Sequence, residues 1–156
     1  MRITLAAIGR ARPGPARDLY QAYAQRLAHG PFGAPRLIEL EERRPLPAEK
    51  LRRREAELLL GALPAGARIV ALDERGTSLS SADFAALLGR WRDEGLADLA
   101  FAIGGAEGLD ETVWSTAAKV LSLGPMTWPH LLVRALLAEQ LYRAQSILTG
   151  HPYHRE

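Results

Sequence analysis

The groups able to do chemistry gather near one end of this chain. The closing run His151-Pro152-Tyr153-His154-Arg155-Glu156 holds two imidazoles, a phenol and a guanidinium, and with His130 it accounts for every histidine except His29. Such a set offers a general base, a ring for stacking and a cationic fork for a phosphate or a base edge. No metal site is expected. His151 and His154 are three apart, but Pro152 between them breaks the helical face that would align them, and no carboxylate cluster stands nearby. With no cysteine in the chain, disulfides, thiolate zinc sites and a cysteine nucleophile are excluded.

A tail does chemistry only if its root is held. Chain ends fray by default, but this one follows a long apolar helix from Pro129 to about Thr149, ended by Gly150 and Pro152. The root is expected to be anchored and the tip held over a pocket. Leu131, Leu132, Val133, Leu136, Leu137, Leu141, Ile147 and Leu148 wrap most of that helix. A helix apolar nearly all round must be covered nearly all round. A sheet covers one side, so a second copy of the chain is expected on the other, ahead of simple burial in the chain's own core.

The elements upstream follow from hydrophobic period. Residues 2–9 alternate as a strand, and 16–28 place Tyr20, Tyr23, Ala24 and Leu27 on one helical face. A strand at 36–41 and a helix from Pro47 to Ala62 come next, then short apolar runs at 68–73 and 98–103 that mark strands buried on both faces. Between those runs, Ser80 and Asp83 make a capping-box-like pair ahead of Phe84, Leu87, Leu88 and Trp91. A short helix at 110–118 leads to a last strand at 120–123. Strands and helices alternate about five times, which predicts an α/β fold: an open, mostly parallel sheet with helices on both faces. The 156 residues are 47% hydrophobic and 24% charged, with no repeat or linker, so the chain reads as a single domain over 1–156.

Ligands of such sheets bind beyond the carboxyl ends of the strands. Three of these ends carry glycine: Leu72-Asp73-Glu74-Arg75-Gly76, Ile103-Gly104-Gly105-Ala106-Glu107-Gly108-Leu109, and Leu123-Gly124-Pro125-Met126-Thr127-Trp128-Pro129-His130. Together they outline one pocket, although a Gly-Gly after a strand more often serves only a tight turn. Neither G-x-G-x-x-G nor a P-loop occurs, and G-x-S-x-G and H-E-x-x-H are missing too, so dinucleotides and nucleoside triphosphates are disfavoured. The net charge of +2 argues against a wrapping nucleic-acid binder. Within residues 43–54, however, Arg43, Arg44, Lys50, Arg52, Arg53 and Arg54 could follow a phosphate backbone, or could form a solvated face paired with the flanking glutamates. No segment is long and apolar enough to span a membrane or to serve as a secretory signal, so a soluble, cytoplasmic protein is expected.

Several of these segments are similar to one family. Leu121-Ser122-Leu123, Met126-Thr127, Pro129-His130, Arg134, Glu139-Gln140, Tyr142-Arg143-Ala144 and Pro152-Tyr153-His154-Arg155 appear in order. Upstream stand Ala71-Leu72-Asp73-Glu74-Arg75-Gly76 with Leu79-Ser80-Ser81, and Ile103-Gly104-Gly105 with Glu107-Gly108-Leu109. The ordered set resembles the ribosomal RNA large subunit methyltransferase H family, of the SPOUT class of knotted RNA methyltransferases. That resemblance implies methyl transfer from S-adenosylmethionine to N3 of a pseudouridine in 23S ribosomal RNA, on the assembled 70S ribosome. It also implies a deep trefoil knot over roughly 68–156 and a homodimer in which one chain's tail reaches the other's cofactor.

By the same resemblance, the cofactor is gripped at Leu72, Gly104, Gly105, Leu123, Gly124, Pro125, Met126, Thr127 and Trp128. His154 is the candidate base, Arg155 the charge stabiliser and Tyr153 a stacking or hydrogen-bonding group. On the substrate side, His130 would orient the cofactor loop, and Arg134 would face the RNA or the partner subunit. Gly124-Pro125 departs from the family pattern of small or lysine residues, and a proline offers no N–H there. The alternative readings are another SPOUT enzyme acting on transfer RNA or a different ribosomal site, and a non-catalytic ribosome-associated RNA-binding domain.

Overall fold

A computed structural model describes residues 1–154. The elements run β1 (Arg2–Ile8), α1 (Pro15–Ala28), β2 (Arg36–Leu40), α2 (Ala48–Ala62), β3 (Arg68–Ser78), α3 (Ser81–Asp93), β4 (Asp98–Ile103), α4 (Glu111–Thr116), β5 (Lys119–Ser122) and α5 (His130–Thr149). The five strands form one sheet in the order β2-β1-β4-β3-β5, every pairing parallel. The expected α/β architecture is therefore present, and nearly every element falls within two residues of its expected bounds.

Period-2 alternation sorts the side chains to two faces. Leu5, Val70, Leu99 and Phe101 point to one face, where they meet Tyr20 and Leu27 of α1, Phe84 and Leu88 of α3, and Leu137 and Leu141 of α5. The other face carries Ala6, Ala71 and Ala102 against Ala56 and Leu59 of α2 and Val113 of α4. Ser80 caps α3 as expected, accepting from the Asp83 amide at 3.0 Å. Gly150 closes α5 in the left-handed conformation, φ 67°.

Within one chain, α5 is covered in part. It lies between α1 and α3 on the sheet, and none of residues 130–148 is exposed. Leu137 and Leu141 are buried, whereas Leu131, Leu132, Val133, Leu136, Ile147 and Leu148 are only half-buried within the single chain. What stays open is Trp128, the exposed Met126 and an adjoining groove of about 350 Å³ floored by Phe84, Leu136 and Leu137.

β3 is the other departure. The charged run Asp73-Glu74-Arg75-Gly76 reads as a loop, yet the chain stays extended and pairs again with β5 at Thr77↔Leu121 and Ser78↔Ser122. Leu72 and Thr77 both face Leu121, so the residues between them bulge out of the ladder. Gly76 makes the return possible. A Cβ there would lie 2.7 Å from the Val120 carbonyl carbon and oxygen, and backbone atoms cannot swing aside. Gly76→Ala is expected to cost about 1–3 kcal/mol by overpacking, seen as a lower urea midpoint at unchanged slope.

Candidate active site

Because β4 lies between β1 and β3, and β3 beside β5, the carboxyl ends of β4, β3 and β5 are neighbours. The three glycine-bearing loops meet there around one cleft of about 760 Å³. Its walls include Leu72, Asp73, Glu74 and Arg75 at the bulge of β3, residues 103–109 from the end of β4, and Leu123, Gly124, Met126, Thr127, Trp128, Pro129 and His130 leading into α5. Of the nine residues expected at the cofactor, only Pro125 is not on the lining.

Each loop is shaped by its own chemistry. Gly104 and Gly105 serve a tight turn: the Gly108 amide donates to the Gly105 carbonyl at 3.1 Å, and Gly108 takes φ +77°. A Cβ on Gly104 would lie 3.0 Å from the Gly108 backbone, so glycine here serves close packing as well as cleft formation. Before α5, the buried Ser122 hydroxyl accepts from the Gly124 amide at 3.1 Å and donates to its carbonyl at 3.0 Å. That two-way bond sets the direction of the 123–128 loop. On the opposite wall, the Arg75 fork grips both oxygens of Asp73 (2.8 and 3.0 Å), and its guanidinium lies over the Trp114 ring at 3.6 Å. Burial raises the Asp73 pKa, but the Arg75 contacts outweigh it and hold the carboxylate below its ordinary range.

His130 and Arg134 stand one turn apart at the start of α5 and have different surroundings. His130 lines the cleft, and its pKa is lowered by burial and by the Arg134 charge, so the ring is neutral at pH 7. Arg134 points inward, 1% exposed. Its guanidinium donates to the Ile8 and Gly9 carbonyls, each at 2.7 Å, and pairs with Glu39. The expectation that Arg134 faces RNA or a partner is corrected: its donors are committed inside the chain. Burial lowers its pKa and Glu39 partly restores it. Beside this pair, burial pushes the Tyr20 phenol up to about 12.

The tail is held, but not over this cleft. Tyr153 hydrogen-bonds Glu139 at 3.0 Å and the Tyr23 hydroxyl at 3.2 Å, and its ring meets Tyr142 edge-on at 4.7 Å. Arg143 lies 4.9 Å from that ring. His154 is half-buried with Nδ1 unpartnered, while Arg155 lies outside the described residues. The tail leaves the far end of α5, whose 20 residues span about 30 Å. The structure thus separates the two halves of the expected site within one chain. Among the described residues, no group of three His, Asp or Glu side chains is placed to hold a metal ion.

The sequence names Asp73, Arg75 and Ser122 within the strand-end segments without showing the Asp73–Arg75 pair or the Ser122–Gly124 turn, and it passes over Glu39 and Glu55. Short-range spacing signals that pair and that turn, since Asp-x-Arg and Ser-x-Gly turns are local. Nothing local signals the others. Glu55 on α2 is buried with Oε2 unpartnered, and both its oxygens lie 3.2 Å from where a Gly105 Cβ would stand. Burial, followed by the nearby Glu107 charge, raises its pKa.

A cleft at the carboxyl ends of a parallel sheet, without a phosphate cradle and walled by backbone turns, defines a class. The family model described as "Predicted SPOUT methyltransferase" matches residues 1–154, and the chain belongs to that family. It is 60% identical over 156 residues to "Ribosomal RNA large subunit methyltransferase H" of Rhodospirillum centenum, covering 99% of both chains. The protein of the same name from Paramagnetospirillum magneticum is 57% identical over 155 residues, again with 99% of each covered. Among solved structures, a probable methylase family protein from Haemophilus influenzae matches with TM-score 0.56 and 10% identity, over 99% of this chain and 70% of that one. That last likeness is one of fold.

Two outcomes follow from the buried charges. Removing the guanidinium by Arg134→Ala strands Glu39 and two carbonyls, and is expected to cost about 3–5 kcal/mol in denaturant unfolding. Glu55 binds its proton more tightly folded than unfolded, so its contribution is complete below the ordinary value of 4.5 and is lost as pH rises through the raised one. Glu55→Gln should therefore melt above the wild type at pH 8 and converge with it at pH 4 by calorimetry.

Proposed function

We propose that the chain is an S-adenosylmethionine-dependent methyltransferase acting on N3 of a pseudouridine in 23S ribosomal RNA, on the assembled 70S ribosome. It works in the cytoplasm as a homodimer of single-domain subunits, each knotted over roughly 68–156. One observation carries the reading: the three glycine-bearing segments gather at one cleft, while Tyr153 and His154 lie at the opposite end of α5 in the same chain. A dimer with opposed α5 helices brings one chain's tail to the other's cleft. The apolar surface at Met126, Trp128 and the adjoining groove supports a second copy there. The names of the relatives support the reaction.

The cleft suits the cofactor. Its volume accommodates a nucleoside joined to an amino acid, and its turns present main-chain groups in place of a phosphate cradle. Charges of both signs at Arg52, Glu74 and Glu107 match a zwitterionic amino-acid end. Leu72, Gly104, Gly105 and the 123–128 loop would hold it, with His130 orienting that loop. When bound, S-adenosylmethionine supplies a methyl group on a sulfonium.

The residues of the chain then have two tasks. Alignment comes first, because in-line transfer to a correctly placed nitrogen gains most from fixed geometry. N3 of the base must also lose its proton. In the proposed site His154 of the partner takes that proton, Arg155 stabilises the negative charge left on the base, and Tyr153 stacks or hydrogen-bonds.

Removing 151–156 should leave cofactor binding intact in calorimetry and reduce single-turnover methylation of 70S particles about 10²-fold or more. Mixing this truncated chain with Thr127→Trp, whose filled cleft no longer takes the cofactor, should restore part of the activity through mixed dimers. Full activity of the truncated chain, or of a monomer in sedimentation, overturns the shared-site reading.

A further inference from the structure

The arginines of the β1–α1 loop and of the 43–54 run differ in their pairing. Arg43, Arg44 and Arg54 are tied to Glu41, Glu42 and Glu57, the outcome expected of a solvated, self-paired face. Arg10 and Arg12, in the loop between β1 and α1, are exposed and form no ion pair among the described residues. Arg52, which lines the cleft, likewise forms none among the described residues.

The loop bearing Arg10 and Arg12 is fixed at its root. The Gly9 amide donates to Leu40, the Ala11 amide to Glu39 at 2.8 Å, and the Gly14 carbonyl accepts from Asp18 at 3.0 Å. From below, Arg134 holds the Ile8 and Gly9 carbonyls and shares Glu39 with the Ala11 amide. A buried ion pair contributes little net stability; what this one fixes is the position of the loop. The loop also begins at the cleft wall, since a Cβ on Gly9 would lie 3.0 Å from the His130 ring.

We propose that the β1–α1 loop is a phosphate grip for the ribosomal RNA substrate, carrying Arg10 and Arg12 directly after Gly9, which adjoins His130 on the cleft wall, with Arg52 a further cation on the cleft lining, unpaired among the described residues. The proposal rests on the function proposed above and deepens it. Planar guanidinium forks match phosphate oxygens in pairs. A rigid loop holds them without the ordering cost of flexible side-chain carriers. A few fixed cations also suit a chain whose net charge is only +2.

The test compares wild type, Arg10→Ala/Arg12→Ala and Arg43→Ala/Arg44→Ala. Each is assayed for cofactor binding by calorimetry, for 70S binding by filter retention across a salt series, and for methylation. The loop variant should bind cofactor and melt like the wild type, with kcat preserved and KM for 70S particles raised about tenfold. Its plot of log affinity against log salt should be shallower by about 1.4–1.8, the loss of two phosphate contacts. The Arg43/Arg44 variant should match the wild type throughout. A loop variant with unchanged KM and salt slope, beside a wild type that methylates, overturns this inference alone; so does an equal effect in both variants. A wild type that neither binds nor methylates 70S particles overturns the functional reading along with it.

Discussion

Much of this molecule depends on the position of β4. A parallel strand in the middle of a sheet must satisfy hydrogen bonds on both edges and apolar contacts on both faces, so it is built from Leu99 to Ile103 with no residue exposed. Its insertion between β1 and β3 forces the connection into β5 to cross over, and places the ends of β4, β3 and β5 side by side. The cleft is a consequence of that strand order. Phe101 and Ala102 face opposite helical layers, large on the side of three helices and small on the side of two.

The polar groups around the cleft obey one rule: a buried charge is fastened to something that also needs placing. Arg75 neutralises Asp73 and stacks on Trp114, which sets the bulge of β3. Arg134 meets Glu39 and two carbonyls, which sets the entry to the β1–α1 loop. Ser122 does the same without charge for the loop before α5. Glu55 is the exception, a carboxyl under the Gly105 turn with one oxygen unpartnered, and its raised affinity for a proton is the physical consequence.

Legibility followed the range of the interactions. Strand alternation, the Ser80 cap and the Gly150 stop act within a few residues, and each was readable from spacing. The extension of β3 was not, because the charged run 73–76 looks like a loop until Gly76 meets Val120, more than forty positions away. Arg134 resembled a surface cation on an apolar helix. Its partners at Ile8, Gly9 and Glu39 are about a hundred residues distant, and nothing near it in the chain announces them. The apolar circumference of α5 demands cover, and α1, α3 and the sheet bury Leu137 and Leu141 while leaving Leu131, Leu132, Val133 and Leu136 half-buried.

By itself, then, the sequence determined which segments are strands and helices, that the sheet is parallel and covered on both faces, and which three loops carry glycine at strand ends. These are consequences of local period, caps and breaks. Only the tertiary structure decided that β3 returns to β5 beyond its charged run, that Arg134 turns inward to pin a loop, and that Tyr153 packs at the far end of α5 from the cleft. Each of those outcomes depends on strand order and helix length. The length of α5 is legible from its local stop at Gly150, but strand order is set by the sum of many weak burial terms across the whole chain, which no local pattern encodes.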